Sequence, residues 1–178
     1  RSIRCDFTNK SYKGKGIDEV KVYLTNVNSR CSITSDGAVT PTEIINAGGL
    51  VYEDLEGFPE PDMVLQTIER SIGRTVLMPD IRLSCYPSAG TSDSPGTPYT
   101  RLVIEGKIDG TTYWWPIDIN RDGNNEEQGI YRNRQYIFDV IIKRKGTSDP
   151  DTVIEIEDAE IIMNIQPWKE KEDHTIGF

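Results

Sequence analysis

The chain has 178 residues, the size of one compact domain, and its 29 Asp and Glu against 20 Lys and Arg give a formal charge of -9. Hydrophobic residues at 36%, charged residues at 28% and a mean hydropathy of -0.51 describe a folded globular protein, and no stretch approaches the ~20 apolar residues of a membrane-spanning helix. A pI near 4.7 makes duplex nucleic acid and anionic membrane surfaces poor partners, because both are bound through basic patches that release counterions.

Arg1 to Phe7 lack the apolar run of a signal peptide, so either the chain is cytoplasmic or its export signal was removed or lies outside it. Cys5, Cys31 and Cys85 are too few and too scattered for a zinc motif or a disulfide-dense scaffold. A bridge from Cys5 to Cys31 across two early strands is one reading, and a buried thiol at each position is at least as well supported. From Glu19 to Asn28, Val20, Val22 and Leu24 alternate with Lys21, Tyr23 and Thr25, the pattern of a strand with one buried side. Leu50 to Tyr52 is a further strand candidate. Asp62 is placed to cap one short helix through Arg70, with Leu65, Ile68 and Ile72 at spacings of three and four and Gly73 as its stop. Ile81 to Tyr86 is a strand, and Pro87 to Pro98, rich in Ser, Gly, Thr and Pro, is a mobile surface loop.

Residues 101–119 form a hairpin around Asp109-Gly110, with Leu102, Ile104 and Ile108 inward on one arm and Tyr113, Trp115, Ile117 and Ile119 on the other. Tyr136 to Lys143, Val153 to Ile156 and Ala159 to Ile165 complete the strands. So many half-apolar strands exceed what a single face shelters, so the expected class is all-β, as a two-sheet β-sandwich with one short helix. There is no internal repeat.

Nothing singles out an enzyme. His174 occurs once, in a charged terminal stretch that offers little to hold it beside a nucleophile, and abundant acids carry no positional information for a carboxylate pair. The sharpest metal signal is Asp118, Asn120 and Asp122 with Gly123, the alternating oxygen pattern that opens a calcium loop. The twelfth position, where a bidentate Glu belongs, is Gly129, and a polar turn uses the same residue types for backbone reasons, so the expected metal set is none. Of Trp114 and Trp115, whose side chains point to opposite faces of a strand, Trp115 is in phase with the core and Trp114 is the candidate sugar-binding platform. Lys143 to Lys145 read as a solvated strand end that discourages stray pairing. Ala159, Ile161, Met163 and Ile165 form an alternating row near the end of the chain. Such a row either completes its own sheet, which pattern alone favours, or lies in a neighbour's groove.

Arg101 to Gly106, Tyr113 to Ile119, Ile130-Tyr131-Arg132-Asn133-Arg134-Gln135-Tyr136, Lys143 to Pro150 and Ala159 to Trp168, in that order, resemble the C-terminal domain of the fimbrillins, the type V pilins of Gram-negative anaerobes. The shared elements are Arg-Asn-x-x-Tyr leading into a strand, the Gly-Thr-Ser-Asp-Pro-Asp turn after it and a tryptophan near the end. Val20 to Val27 resembles the opening strand of that domain. The resemblance is firm after residue 100 and loose between residues 29 and 98. It implies a transthyretin-like sandwich spanning residues 1–178 as the C-terminal domain of a longer pilin, exported as a lipoprotein to the outer membrane and cell surface.

The implied function is that of a structural fimbrial subunit that polymerises by β-strand donation and supports adhesion, without cofactor. Its partners are other pilin subunits and a host surface protein or glycan, and it meets the membrane only through an anchor outside this chain. In the family a protease cuts after a basic residue and removes a strand, and the C-terminal strand of the next subunit fills the groove. That cleavage is not carried over to Arg1 or Arg4, which adjoin the part matching the second domain. The donor element is carried over, as residues 157–178 with Ala159, Ile161, Met163, Ile165, Trp168, Ile176 and Phe178. The alternative is a secreted adhesin or carbohydrate-binding sandwich that uses Trp114 and the Asp118 to Asn125 loop with calcium.

Overall fold

The structure is a computed structural model that describes residues 2–9, 15–28, 44–45, 65–67, 76–89, 99–121, 128–152 and 159–167; residues 2–9, 45, 65–67, 76–80 and 159–167 are described by backbone alone. The described regular structure is all strand. In chain order the strands are β1 (Ser2–Asn9), β2 (Asp18–Thr25), β3 (Val27–Asn28), β4 (Ile44–Ile45), β5 (Leu65–Thr67), β6 (Val76–Ser84), β7 (Arg101–Ile108), β8 (Thr111–Asp118), β9 (Arg134–Ile142) and β10 (Ala159–Pro167). Two four-stranded sheets form, in the orders β10-β9-β1-β6 and β5-β2-β7-β8, and β3 pairs with β4. β1 runs parallel to β9, while β6 and β10 run antiparallel to their neighbours, so the first sheet is mixed.

The hairpin at residues 101–119 forms as its sequence requires. Ile108 stands opposite Thr111, leaving Asp109 and Gly110 as a two-residue loop with φ of 53 and 77. Positive φ at both central positions is the type I′ geometry that matches strand twist, and it suits Asp followed by Gly. Lys15 forms an ion pair with Asp109 at this tip.

The alternating residues build one core. Val20, Val22 and Leu24 of β2, Leu102 and Ile104 of β7, and Trp115 and Ile117 of β8 join Ile81, Leu83, Tyr136, Phe138, Val140 and Ile142 from the other sheet in a single buried cluster. Full burial of side chains of this size stabilises the fold by about 1.5–3 kcal/mol each. The opposite side of the second sheet is also covered: Val103 is 0% exposed and Tyr23 2%, and Thr25 and Arg101 are buried. The simple inside and outside alternation expected for β2 therefore gives way to one in which Tyr23 and Thr25 are buried as well, while Lys21 stays part-exposed.

The expected helix is a correction. Leu65–Thr67 is strand β5, with Leu65, Gln66 and Thr67 opposite Tyr23, Val22 and Lys21 of β2; the rest of Asp62 to Gly73 lies outside the described residues. Three apolar residues at helical spacing are a small sample, and Val64-Leu65-Gln66-Thr67-Ile68 supplies β-branched residues to an edge of β2 that offers main-chain partners. The loop expectation is corrected at its start. Pro87 and Ser88 are buried, and Ser88 exchanges two main-chain hydrogen bonds with Ile130, of 2.9 and 2.7 Å. The remainder of that loop, Leu50 to Tyr52 and Val153 to Ile156 lie outside the described residues. β1 is absent from the strands drawn from alternation, although Ile3, Cys5 and Phe7 alternate with Arg4 and Asp6.

Candidate functional site

The C-terminal strand and its root make the candidate assembly site. β10 pairs with β9 in continuous register, from Ala159 opposite Ile142 to Pro167 opposite Arg134. Ala159, Ile161, Met163 and Ile165 stand opposite Ile142, Val140, Phe138 and Tyr136, the four β9 residues buried in the core. The apolar row is thus placed on the core side of its own sheet, at that sheet's edge, as pattern alone favours. Trp168, His174, Ile176 and Phe178 lie outside the described residues.

The chain does not turn tightly from β9 to β10. Residues 143–152 first cross to the edge of the other sheet. The Trp115 indole N–H donates to the Arg144 carbonyl at 3.2 Å, and Trp115 is 1% exposed. Thr147 and Trp114 then exchange main-chain bonds of 2.7 and 3.1 Å. The close approach requires Gly146: a Cβ there would meet the Trp114 carbonyl carbon at 2.7 Å and Trp115 Cδ2 at 3.0 Å. Asp149 closes the turn, accepting from the Asp151 and Thr152 N–H groups and the Thr152 hydroxyl at 2.9, 2.9 and 2.8 Å. These bonds, the Thr152 hydroxyl first, hold its carboxyl below the usual carboxylate range. Finally Arg101 Nη1 donates to the Asp151 carbonyl at 3.2 Å. Lys143, Arg144 and Lys145 are exposed, as expected of a solvated strand end, and the Lys145 ammonium lies 5.4 Å from the Tyr113 ring centroid. Glycine at 146 was visible in the sequence only as part of a turn motif; its contact with Trp114 was not.

Trp114 is half-buried and committed. Its indole N–H donates to Glu105 Oε2 at 3.1 Å, the oxygen that also accepts the Tyr23 hydroxyl at 2.8 Å, and its main chain is tied to Thr147. Burial, and then the adjoining Glu105 carboxylate, push the Tyr23 phenol far above its ordinary range. This partly buried indole packs against the core. Glu105, the hub of this trio, was missed in the sequence, where it was one acid among many.

The loop after β8 is likewise a set of internal bonds. Asp118, whose side chain is 4% exposed, accepts from Arg101 Nε at 2.7 Å and Arg121 Nη1 at 3.1 Å. A cation at Asp118 would have to displace both guanidinium groups. Asn120, buried with φ of 52, donates its amide to the Gly129 carbonyl at 2.9 Å. Asp122 lies outside the described residues, and among the described residues no three His, Cys, Asp or Glu side chains group as a metal site. The Arg132-Asn133-x-x-Tyr136 element also proves structural. Asn133 has φ of 58, and the buried Tyr136 hydroxyl accepts from the Tyr131 N–H at 2.9 Å and donates to the Gly129 carbonyl at 3.1 Å. Cys85 is a buried thiol, while Cys5 is described by backbone alone and Cys31 lies outside the described residues.

Comparison with solved structures finds a likeness in fold to a bacterial cell adhesion protein. The chain superposes with a TM-score of 0.59 on a candidate cell adhesion protein of Bacteroides eggerthii, at 15% identity, covering 94% of this chain and 56% of that one. It also matches a candidate cell adhesion protein of Parabacteroides distasonis (TM-score 0.48, 13% identity, 94% and 58% covered). A third match is the tip fimbrial protein Mfa3 of Porphyromonas gingivalis, in a form truncated at its C-terminus (TM-score 0.36, 15% identity, 94% and 51% covered). The last two superpose too loosely to carry an argument. The first shows a shared fold, and the chain spans little more than half the length of these structures. The fold shared with the first is in keeping with the fimbrillin resemblance seen in the sequence. No protein-family model and no curated protein matches the chain.

Proposed function

We propose that the chain is a structural subunit of a fimbria at the cell surface, polymerised by donating residues 157–178 to a neighbouring subunit. The carrying observation is the place of β10: among the described strands it lies at the edge of its sheet, bonded to β9, and its alternating row stands opposite the buried residues of β9. A strand held on one side leaves its sheet with fewer broken bonds than an inner strand does. In a neighbour's groove, Ala159, Ile161, Met163 and Ile165, followed by Trp168, Ile176 and Phe178, bury apolar area worth about 25 cal/mol per Å2. Head-to-tail contacts of this kind close no ring and repeat into a filament.

Two four-stranded sheets sharing one buried cluster support the two-sheet, transthyretin-like sandwich, read as a single domain over residues 1–178. The fold shared with the Bacteroides eggerthii protein supports a role in adhesion. Pilin subunits are then its partners, with a host protein or glycan as adhesion target and the outer membrane reached through a lipid anchor outside this chain. No residue has a catalytic role in this reading. Deleting Ala159 to Phe178 tests it by electron microscopy and size-exclusion chromatography. The truncated chain is expected to keep much of its remaining strand content by circular dichroism and to form no filaments alone, whereas the full subunit does. Filaments from the truncated chain overturn the reading.

A further inference from the structure

The four outer edges of the two larger sheets are not alike. β5 is three residues long. β8 carries Pro116, which has no N–H to offer, and its Trp114 main-chain groups are already taken by Thr147. β6 contains Pro79, and its register against β1 shifts where Cys5 faces Ile81 and Phe7 faces Met78, so it bulges there. Shortness, proline, bulges and covering segments are the devices by which edges refuse a stray strand. Among the described residues β10 has none of them. It runs for nine residues in unbroken register with β9, its only proline is its last residue, and its only charge is Glu160.

We infer that the outer edge of β10 pairs with β10 of a second copy of this chain, antiparallel about a two-fold axis through Met163, while each β10 keeps its bonds to its own β9. The occupant follows from the same comparison: a second copy presents the same four described edges, and only its β10 is unguarded. The strand is also complementary to itself. Pairing about Met163 sets Ile161 against Ile165, Ile162 against Asn164 and Ala159 against Pro167. The single charge, Glu160, meets Gln166 and never its own copy, so no like charges oppose. The contact goes beyond strand donation, because β10 does not leave home.

Sedimentation of the full chain over a range of concentrations reads the association. For subunits that have not donated their strand, the expected result is a concentration-dependent dimer. Ile162→Lys with Asn164→Lys sets like charges opposite each other twice across the axis, and Ile162→Glu with Asn164→Glu does the same with the other sign. Each double variant is expected to weaken the dimer by about tenfold or more, and an equimolar mixture of the two to restore it. A fold defect would not be repaired by mixing. A third variant, Ile141→Cys with Glu160→Cys, joins residues that face each other across β9 and β10, and its bridge is verified by peptide mass. Fixing β10 at home in this way is expected to leave the dimer intact while abolishing any polymerisation by donation. The inference is overturned by a monomer at every concentration, by double variants that dimerise as the parent does, or by folded variants whose mixture stays monomeric. Loss of the dimer in the bridged form also overturns it and assigns association to a donated strand.

Discussion

Replacing Gly146 by alanine isolates the contact that ties the β9–β10 connection to β8. Gly146 is not among the described residues of positive φ, so the substitution meets no backbone penalty, only the Trp114 carbonyl group and Trp115 Cδ2 at 3.0 Å. Neither the backbone of β8 nor a buried indole yields readily, so residues 146 and 147 must move outward. That movement breaks the Thr147–Trp114 pair of main-chain bonds, of 2.7 and 3.1 Å, each worth about 0.5–1.5 kcal/mol net. With overpacking of about 1–3 kcal/mol as the alternative if the segment stays, the expected loss is about 1–3 kcal/mol either way. Gly110→Ala is the companion. Nothing lies within 4 Å of a Cβ there, and only its φ of 77 opposes the change, at about 1 kcal/mol. Urea unfolding followed by tryptophan fluorescence ranks the two. A Gly146→Ala midpoint closer to the parent than that of Gly110→Ala refutes the close-packed connection.

Tyr136→Phe removes the acceptor of the Tyr131 N–H and one of two donors to the Gly129 carbonyl, which keeps the Asn120 amide, and is expected to cost about 1–3 kcal/mol in urea unfolding. Arg101→Met leaves the buried Asp118, among the described residues, with the exposed Arg121 as its remaining ion-pair partner, and is expected to destabilise by about 3–5 kcal/mol; a change below about 1 kcal/mol argues against the pair as drawn. Trp114→Ala, with and without calcium on a glycan array, is expected to leave binding unchanged while lowering thermal stability, because this indole is bonded to Glu105. For Tyr23, whose folded pKa is raised, stability is fully present below the unfolded value of about 10 and falls as pH rises through the folded one. Tyr23→Phe should flatten that alkaline loss in urea midpoints measured between about pH 9 and 11. Asp149 has the opposite sign: its depressed pKa gives stability above the unfolded carboxylate value that is lost as pH falls through the folded one, and Asp149→Asn should flatten the acid limb.

The hairpin at residues 101–119 was legible because its turn type and its two apolar rows are both local, and Asp109-Gly110 met them in register. Trp115 was assigned inward from period alone, and it is inward. The reading of Leu65 failed for the complementary reason. A short apolar triplet suits a helix turn as well as an edge strand, and the deciding partner, β2, lies more than forty residues earlier. Trp114 and Asp118 carried the residue types of a sugar platform and a metal loop, but Glu105 and Arg101, one strand away in space, engage them first.

The sequence by itself determined the all-β class, the phase of β2, β7 and β8 and the apolar row in β10, because these follow from side-chain periodicity along one strand. Tertiary structure alone decided that β1 enters the first sheet parallel to β9 and between two others, that residues 143–152 seal the β8 edge, and that β10 stands outermost. Main-chain pairing between distant strands is nearly blind to side-chain identity, so the order of strands in a sheet is chosen by the packing of the whole chain.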